Sequence, residues 1–201
     1  MPLKDYSDKR DFKSTSEPGS KKKLSGRKKD EGLAFVVQKH YASHLHYDFR
    51  LEYEGILKSW AIPKGPTIDP ADKHLAVMVE DHPYEYKDFS GIIPEGNYGA
   101  GKVEIWDRGT YHALNAEDKN RSESEIKEGL NKGHLTIIME GKKLNGEFAL
   151  IKLKNTKGNN WLLIKKDDEY AVRGWKIDDE ESGMDLKKTK KRPSPKESSL
   201  S

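Results

Sequence analysis

The sequence predicts a mainly β protein: an antiparallel barrel or sandwich with one clear helix and disordered basic termini. Three observations carry that class. From His44 to Tyr53 the side chains alternate without a break, with His44, His46, Asp48, Arg50 and Glu52 on one parity and Leu45, Tyr47, Phe49, Leu51 and Tyr53 on the other. Successive strand residues point to opposite faces, so this is a strand with one apolar face and one polar face. Further short apolar runs follow through Gly, Pro and Asn junctions, without the helices that a parallel α/β sheet would need between them. Both ends are basic, rich in Lys, Ser, Pro and Gly, and carry no hydrophobic period.

The elements follow in order. Residues 33–39 form the first expected strand, with Phe35 and Val37 on one parity, and residues 44–53 the second. Glu54-Gly55 turns the chain into a third strand over 56–62. Pro63-Lys64-Gly65-Pro66 ends it, because proline lacks the ladder donor and glycine permits a sharp bend. Residues 75–80 alternate again, and residues 91–101 form a glycine-rich loop. Residues 103–107 and 110–114 read as a hairpin about Arg108-Gly109. The helix follows: Ser122 and Glu125 have capping-box spacing, Ile126 and Leu130 stand four apart, and Gly133 can close it. Strands over 134–139, 147–154 and 161–166 complete the set.

Charged residues make up 35% of the 201 and apolar ones 33%, which is lean for a domain filling the whole chain. The charge is unevenly spread. Residues 1–30 hold ten Lys/Arg against five Asp/Glu, and residues 181–201 hold six against three, so residues 31–180 carry a net of −5. Segments of such composition bury too little apolar area to offset ordering entropy. The expected organisation is therefore a disordered basic tail over 1–30, a barrel domain over 31–170 and a basic, disordered tail over 171–201. Tails of this kind solubilise a protein or tether it to nucleic acid. Cysteine is absent, which removes disulfides, zinc ribbons and thiol nucleophiles. No apolar run approaches the ~20 residues that span a bilayer, and the N-terminus is polar. A soluble, cytoplasmic protein is the expectation.

The polar face of residues 44–53 is unlike a solvated one, which would be built from Lys, Glu, Thr and Ser. His46 and Asp48 lie about 6.6 Å apart along a strand, so both can reach one cation. His40 would stand roughly 26 Å from Asp48 on a straight strand. It joins them only if a turn near residues 41–44 folds the chain back, and His44 is an alternative ligand on local sequence alone. Two imidazoles and a carboxylate suit Mn²⁺, Fe²⁺, Co²⁺ or Zn²⁺ with open positions for substrate and water. Arg50 extends the face, and its fork matches phosphate or carboxylate oxygens. His82, in Glu80-Asp81-His82-Pro83 at a strand end, suits a general acid or a stabiliser of developing charge. Tyr86 and Lys64 are weaker candidates, and the glycines at 96, 99 and 101 can let backbone amides approach phosphate.

These segments together resemble a known family. Phe35-Val36-Val37-Gln38-Lys39-His40, Leu45-His46-Tyr47-Asp48-Phe49-Arg50-Leu51-Glu52, Leu57-Lys58-Ser59-Trp60-Ala61-Ile62-Pro63-Lys64-Gly65-Pro66, Val79-Glu80-Asp81-His82-Pro83, Ile93-Pro94-Glu95-Gly96-Asn97-Tyr98-Gly99-Ala100-Gly101 and Val103-Glu104-Ile105-Trp106-Asp107 are similar to the 3′-phosphoesterase module of bacterial DNA ligase D and its free-standing relatives. The likeness covers residues 33–167, and Lys9-Arg10-Asp11-Phe12 with Glu17-Pro18 is similar to the leader before the module. The resemblance implies a small antiparallel β-barrel that heals 3′ ends in a primer-template duplex. With Mn²⁺ such an enzyme removes a terminal 3′-ribonucleoside and then the remaining 3′-phosphate, leaving a 3′-OH. It implies His40, His46 and Asp48 as metal ligands, Arg50, His82 and Tyr86 on the scissile phosphate, and Gln38 and Lys64 at the site's edge. The implied partners are DNA or RNA–DNA primer-template 3′ ends, with a separate ligase, polymerase or Ku-type end-joining protein, since neither enzyme module fits in 201 residues. A monomer is expected. Lys73-His74 departs from the family, which often has an Arg beside the phosphate in that segment.

Two other classes remain open on sequence alone. His46-x-Asp48 with a distal His112 or His134 has the outline of an iron/2-oxoglutarate oxygenase triad, with Lys142 as a carboxylate anchor. A non-catalytic DNA-end-binding module would use the basic tails and would not require the His/His/Asp/Arg set.

Overall fold

A computed structural model describes residues 3–19, 32–154 and 156–177. Ten strands occur among them: β1 (Leu33–Tyr41), β2 (Leu45–Tyr53), β3 (Ile56–Ile62), β4 (Lys73–Met78), β5 (His82–Pro83), β6 (Gly91–Ile93), β7 (Gly101–Ala113), β8 (His134–Gly141), β9 (Asn145–Lys152) and β10 (Asn160–Lys165). Eight close into an antiparallel barrel in the order β1-β2-β3-β4-β10-β9-β8-β7, with β7 returning to β1. Closure leaves no open edge in the barrel wall. β5 pairs with β3 and β6 with β7, both outside the ring. Helix α1 (Leu3–Asp8), helix α2 (Lys119–Lys132) and a 3₁₀ turn (Tyr84–Asp88) pack on the wall.

The barrel is filled by the apolar parity of each strand. Tyr47, Phe49, Leu51 and Tyr53 of β2 meet Phe35, Val37, Trp60, Ile62, Tyr111, Ile137, Phe148, Leu150 and Trp161 inside it. The polar parity of β2 therefore faces outward, as the alternation requires. A smaller apolar cluster of Tyr6, Leu57, Tyr86, Phe89, Ile93 and Val103 lies outside the wall. Val103 and Tyr111 share a parity on β7 yet belong to different clusters. The cause is a bulge: Val37 pairs with Asp107 but Gln38 with Ile105, so Trp106 is the extra residue and the strand reverses its faces there.

The structure departs from the sequence reading at five places, the first being that residues 91–93 of the expected loop form β6. Residues 103–113 are not the arms of a hairpin but part of one 13-residue strand, which ends one residue before Leu114. Gly109 is not a turn residue: it pairs with Phe35 on one side and Gly141 on the other. A Cβ there would collide with the backbone of Glu140, so glycine marks a close approach of strands. Helix α2 starts earlier than Ser122, with Asp118 as N-cap accepting from the amide of Arg121 at 2.8 Å. Ser122 is buried and its hydroxyl accepts from the amide of Ala113 at 2.8 Å. Gly133 closes the helix in the left-handed conformation, as expected.

The other two departures concern the tails. Residues 3–19 of the expected disordered segment fold onto the barrel, with Tyr6 fully buried and its hydroxyl donating to Pro18 O at 2.6 Å. At the other end, residues 171–177 pack as well: Val172 N donates to Ile68 O, Gly174 N donates to the Asp69 carboxylate, and Trp175 is buried. The remainder of both expected tails lies outside the described residues. Gly109→Ala should cost about 1–3 kcal/mol in urea unfolding, the range for a methyl forced into packed structure. An unchanged midpoint would show that the strands can separate there without penalty.

Candidate active site

The site stands on the outward face of β1, β2 and β3. The chain bends at residues 42–44 between β1 and β2, and the register places His40 opposite His46 and Gln38 opposite Asp48. The fold-back that the sequence demanded is present. One ligand atom from each of His40, His46 and Asp48 lies within 4.8 Å of the others. Ligands about 2.1 Å from a shared ion stand about 3–4.2 Å apart. The two His–Asp distances, 3.4 and 3.5 Å, fall in that range, and the full set reaches it with a contraction of a few tenths of an ångström from 4.8 Å.

The hydrogen bonds decide which way these imidazoles present their lone pairs. His40 Nε2 is 2.9 Å from Gly99 O, and His46 Nδ1 is 3.0 Å from His44 O. A carbonyl only accepts, so those nitrogens carry the protons when the rings are neutral. The other nitrogens then aim lone pairs at Asp48: His40 Nδ1 lies 3.4 Å from Oδ2 and His46 Nε2 3.5 Å from Oδ1. His40 Nδ1 is buried without a hydrogen-bond partner. Lone pairs facing a carboxylate repel it unless a proton or a metal stands between. Backbone carbonyls that hold the far nitrogen are the usual way a ligating imidazole is oriented. His44, the alternative ligand, is exposed and contributes only its carbonyl.

Arg50 joins this triad to the rest of the face. It is buried and donates Nε to Gln38 Oε1 at 2.7 Å, Nη1 to Ser59 Oγ at 3.0 Å and Nη2 to Asp48 Oδ2 at 3.0 Å. Three of its five N–H groups are thus taken and two are left. Its guanidinium lies 4.6 Å from the centre of the Tyr86 ring. Gln38, expected at the edge, is fully buried beneath the site and donates to Tyr86 O and Phe89 O. Burial opposes the charge on Asp48, yet Arg50 and the two imidazoles hold its carboxyl well below the usual range. Asp48 raises the pKa of His46 in turn.

His82 is reached through Ser59, whose hydroxyl lies 3.0 Å from Arg50 Nη1 and 3.4 Å from His82 Nδ1. His82 Nδ1 is 2.9 Å from Glu80 O and must donate there; Nε2 is 3.4 Å from Arg10 Nη2 and must accept. Burial, Arg50 and Arg10 together push its pKa well below the ordinary value. It is a neutral imidazole whose one proton is engaged, not a ready proton donor.

Arg10 comes from the segment that sequence composition assigned to a tail. It pairs with Glu17 at 2.9 Å and Glu80 at 3.2 Å, donates to Tyr6 O and stacks 3.9 Å from the centre of the Tyr6 ring. Glu17 also accepts from the Tyr86 hydroxyl at 2.9 Å, and Lys9 pairs with Glu80 at 3.2 Å. Lys64 stands in the exposed turn after β3, at the end of the strand pair where Tyr47 meets Ile62. His74 lies on the same parity of β4 as the core residue Ala76 and donates Nδ1 to Gly65 O, away from the outward face.

Residues 38–152 match the family model of the DNA ligase D 3′-phosphoesterase domain. The chain belongs to this family. It is 51% identical over 172 residues to the multifunctional non-homologous end joining protein LigD of Pseudomonas aeruginosa, covering 85% of this chain and 19% of that protein. The LigD of Mycobacterium tuberculosis is 41% identical over 170 residues, covering 84% and 20%, and that of Mycolicibacterium smegmatis 40% over 172 residues, covering 85% and 21%. The chain spans about a fifth of the length of these relatives.

As a phosphoesterase-family barrel the chain does not assemble the oxygenase triad. Among the described residues His40, His46 and Asp48 are the group that could hold a metal. His112 donates to Ala113 O on β7 and His134 opens β8, exposed. Lys142 gives its backbone amide to Asp107. The residues that sequence reasoning did not place in the site are Arg10, Glu17, Ser59 and Glu80. The likeness of Arg10 and Glu17-Pro18 to the family's leader was the available signal.

Two predictions follow from this geometry. Mn²⁺ at a hundredfold excess over its Kd should stabilise the protein by about 2.7 kcal/mol, read as a rise in Tm. Asp48→Asn and His40→Ala should lose that rise and His44→Ala should keep it; the reverse pattern for the two histidines would make His44 the ligand. The second concerns His82, which stays neutral in the native state. Below about pH 6.5 the unfolded chain takes up a proton there that the native chain refuses, so stability falls with decreasing pH by up to about 1.4 kcal/mol per unit. Urea unfolding of His82→Gln between pH 7 and 5 should show a shallower loss, and equal slopes would mean that native His82 titrates freely.

Proposed function

We propose that this chain is a DNA 3′-end-healing phosphoesterase that uses Mn²⁺ first to release a 3′-terminal ribonucleoside and then to remove the 3′-phosphate, leaving a 3′-OH. The observation that carries the reading is the doubly used carboxylate of Asp48, which faces two imidazole lone pairs and also holds a guanidinium. The imidazoles beside Asp48 suit a cation, and the guanidinium that shares its Oδ2 with His40 suits an anion. Bound by His40, His46 and Asp48, Mn²⁺ would supply a Lewis acid that polarises a phosphate oxygen.

The protein's own groups do the rest. Arg50 offers its two remaining N–H groups to phosphate oxygens and, fixed by Gln38 and Ser59, needs little reorganisation as charge develops. Of the two roles that sequence suggested, general acid or stabiliser of developing charge, neither suits a neutral ring; His82 works through Nε2 as an acceptor, because its Nδ1 proton is held by Glu80 O. Tyr86, with its ring against Arg50 and its hydroxyl on Glu17, holds the guanidinium in place and closes the apolar side of the pocket. Lys64, exposed in the turn after β3, would meet the backbone of the nucleic acid.

The proposed substrates are DNA or RNA–DNA primer-template 3′ ends. Ligase, polymerase and Ku-type end-joining proteins are the proposed partners, and the protein is taken to act in the cytoplasm as a monomer. No helix among the described residues is long and apolar enough to cross a membrane. A labelled primer-template ending in one 3′-ribonucleotide should yield a 3′-phosphate and then a 3′-OH with Mn²⁺, and neither with chelator. His46→Ala and Asp48→Ala should lose both steps by more than a hundredfold while keeping the far-ultraviolet signature of the barrel; turnover by either folded variant would sink the assignment.

A further inference from the structure

Tyr98 is the most exposed of the aromatics beside this site, 51% against 41% for Tyr41, and none of the groups described above needs its outer surface. Its backbone is held from two sides. The next residue, Gly99, receives the His40 ring nitrogen on its carbonyl at 2.9 Å. The preceding one, Asn97, accepts from the hydroxyl of Ser14 at 2.7 Å, and its own carbonyl accepts from the amide of Ala100. The ring is held as well, with Lys9 Nζ 4.6 Å and Arg10 Cζ 5.6 Å from its centre. Arg10 is also the residue whose Nη2 lies 3.4 Å from His82 Nε2. Tyr98 thus spans the gap between the His40 end of the site and the Arg10–His82 end, as a flat surface ordered in advance.

We propose that Tyr98 is the stacking platform for a nucleobase next to the scissile phosphate, positioning the strand end over the site. The occupant is a base, not another protein's side chain, for two reasons. The ring stands beside a site proposed to take the phosphate of a strand end, and base stacking on an aromatic ring tolerates any sequence. Lys9 and Arg10, paired with Glu80 and Glu17, order the ring and do not draw the strand. A ring already fixed by its loop and its cations loses little freedom on stacking, so more of the contact appears as binding. Tyr98 is a positioning residue: it touches the substrate away from the reacting atoms. The inference deepens the proposed function and rests on it.

Three primer-templates test it. One ends in a normal 3′-ribonucleoside, a second lacks the base of that terminal sugar, and a third lacks the base of the penultimate one. Tyr98→Ala should lower kcat/KM on the first by about fivefold or more, the scale of one stacked base, and chiefly through KM. Tyr98→Phe, which keeps the ring, should restore it. Removing the stacked base should cost the normal enzyme a similar factor and Tyr98→Ala almost nothing further. The abasic substrate on which the two enzymes converge identifies the stacked base as terminal or penultimate. A loss that is equal on all three substrates, or no loss at all, would overturn the proposal and leave Tyr98 as packing for Arg10. Fluorescence anisotropy with the same three duplexes in chelator gives the comparison without turnover. If the unmodified protein processes none of them but its binding still depends on Tyr98 and one base, the reading of the reaction fails and this one stands.

Discussion

The outer face of the barrel is organised around one buried carboxylate. Removing an ion of this kind from water costs several kcal/mol, and close partners must offset it. Asp48 has the guanidinium of Arg50, and the near nitrogens of His40 and His46 add to it only when a proton or a metal stands between. Each partner imposes a demand of its own. Arg50 is buried too, so Gln38 and Ser59 must take the N–H groups that Asp48 does not. Gln38 can present its oxygen to Arg50 because its amide nitrogen is occupied by the carbonyls of Tyr86 and Phe89. His82, set between Arg50 and Arg10, is then kept neutral by burial and by two neighbouring cations. A change at any of these positions leaves a buried polar group unpaired, and such losses are larger than the worth of the bond itself.

Barrel closure makes this arrangement rigid. β1 and β2 bury one face in the core and carry the site on the other, so the polar groups stand on a wall that packing cannot let shift. The bulge at Trp106 extends the device to β7. Above it the strand faces the barrel with Tyr111; below it Val103 turns outward to join Tyr86 and Phe89 in the apolar cluster outside the wall. One strand thus supports both clusters.

The sequence made the barrel and the triad readable for one reason: both rest on period-two alternation, a local property. The outward set on β2 could be named residue by residue; strand length set only the condition that His40 joins it across a turn, and the resemblance chose His40 over His44. What was not legible depended on contacts between distant segments. Gly109 looks like a turn residue because local signals cannot distinguish a bend from a close approach to Glu140. The segment around Arg10 looks like a tail because its charges suggest solvation. Its ordering comes from Glu80, seventy residues away, and from the apolar bed offered to Tyr6. The neutral state of His82 was hidden for the same reason, since one of the cations depressing it belongs to that segment.

Charge balance gives these contacts their functional meaning. Lys9, Arg10 and Arg50 are matched one for one by Glu17, Asp48 and Glu80, and His82 is neutral. Within this buried set the charges therefore cancel, which leaves two N–H groups of Arg50 and the exposed Lys64 to meet a phosphate. A dication at His40, His46 and Asp48 would leave the pocket at a net +2, equal and opposite to a terminal phosphate dianion. It would also draw on the carboxylate oxygen that now compensates Arg50, freeing that guanidinium toward an incoming anion. Metal and phosphate would then bind cooperatively without any movement of the wall, because the coupling runs through the single charge of Asp48.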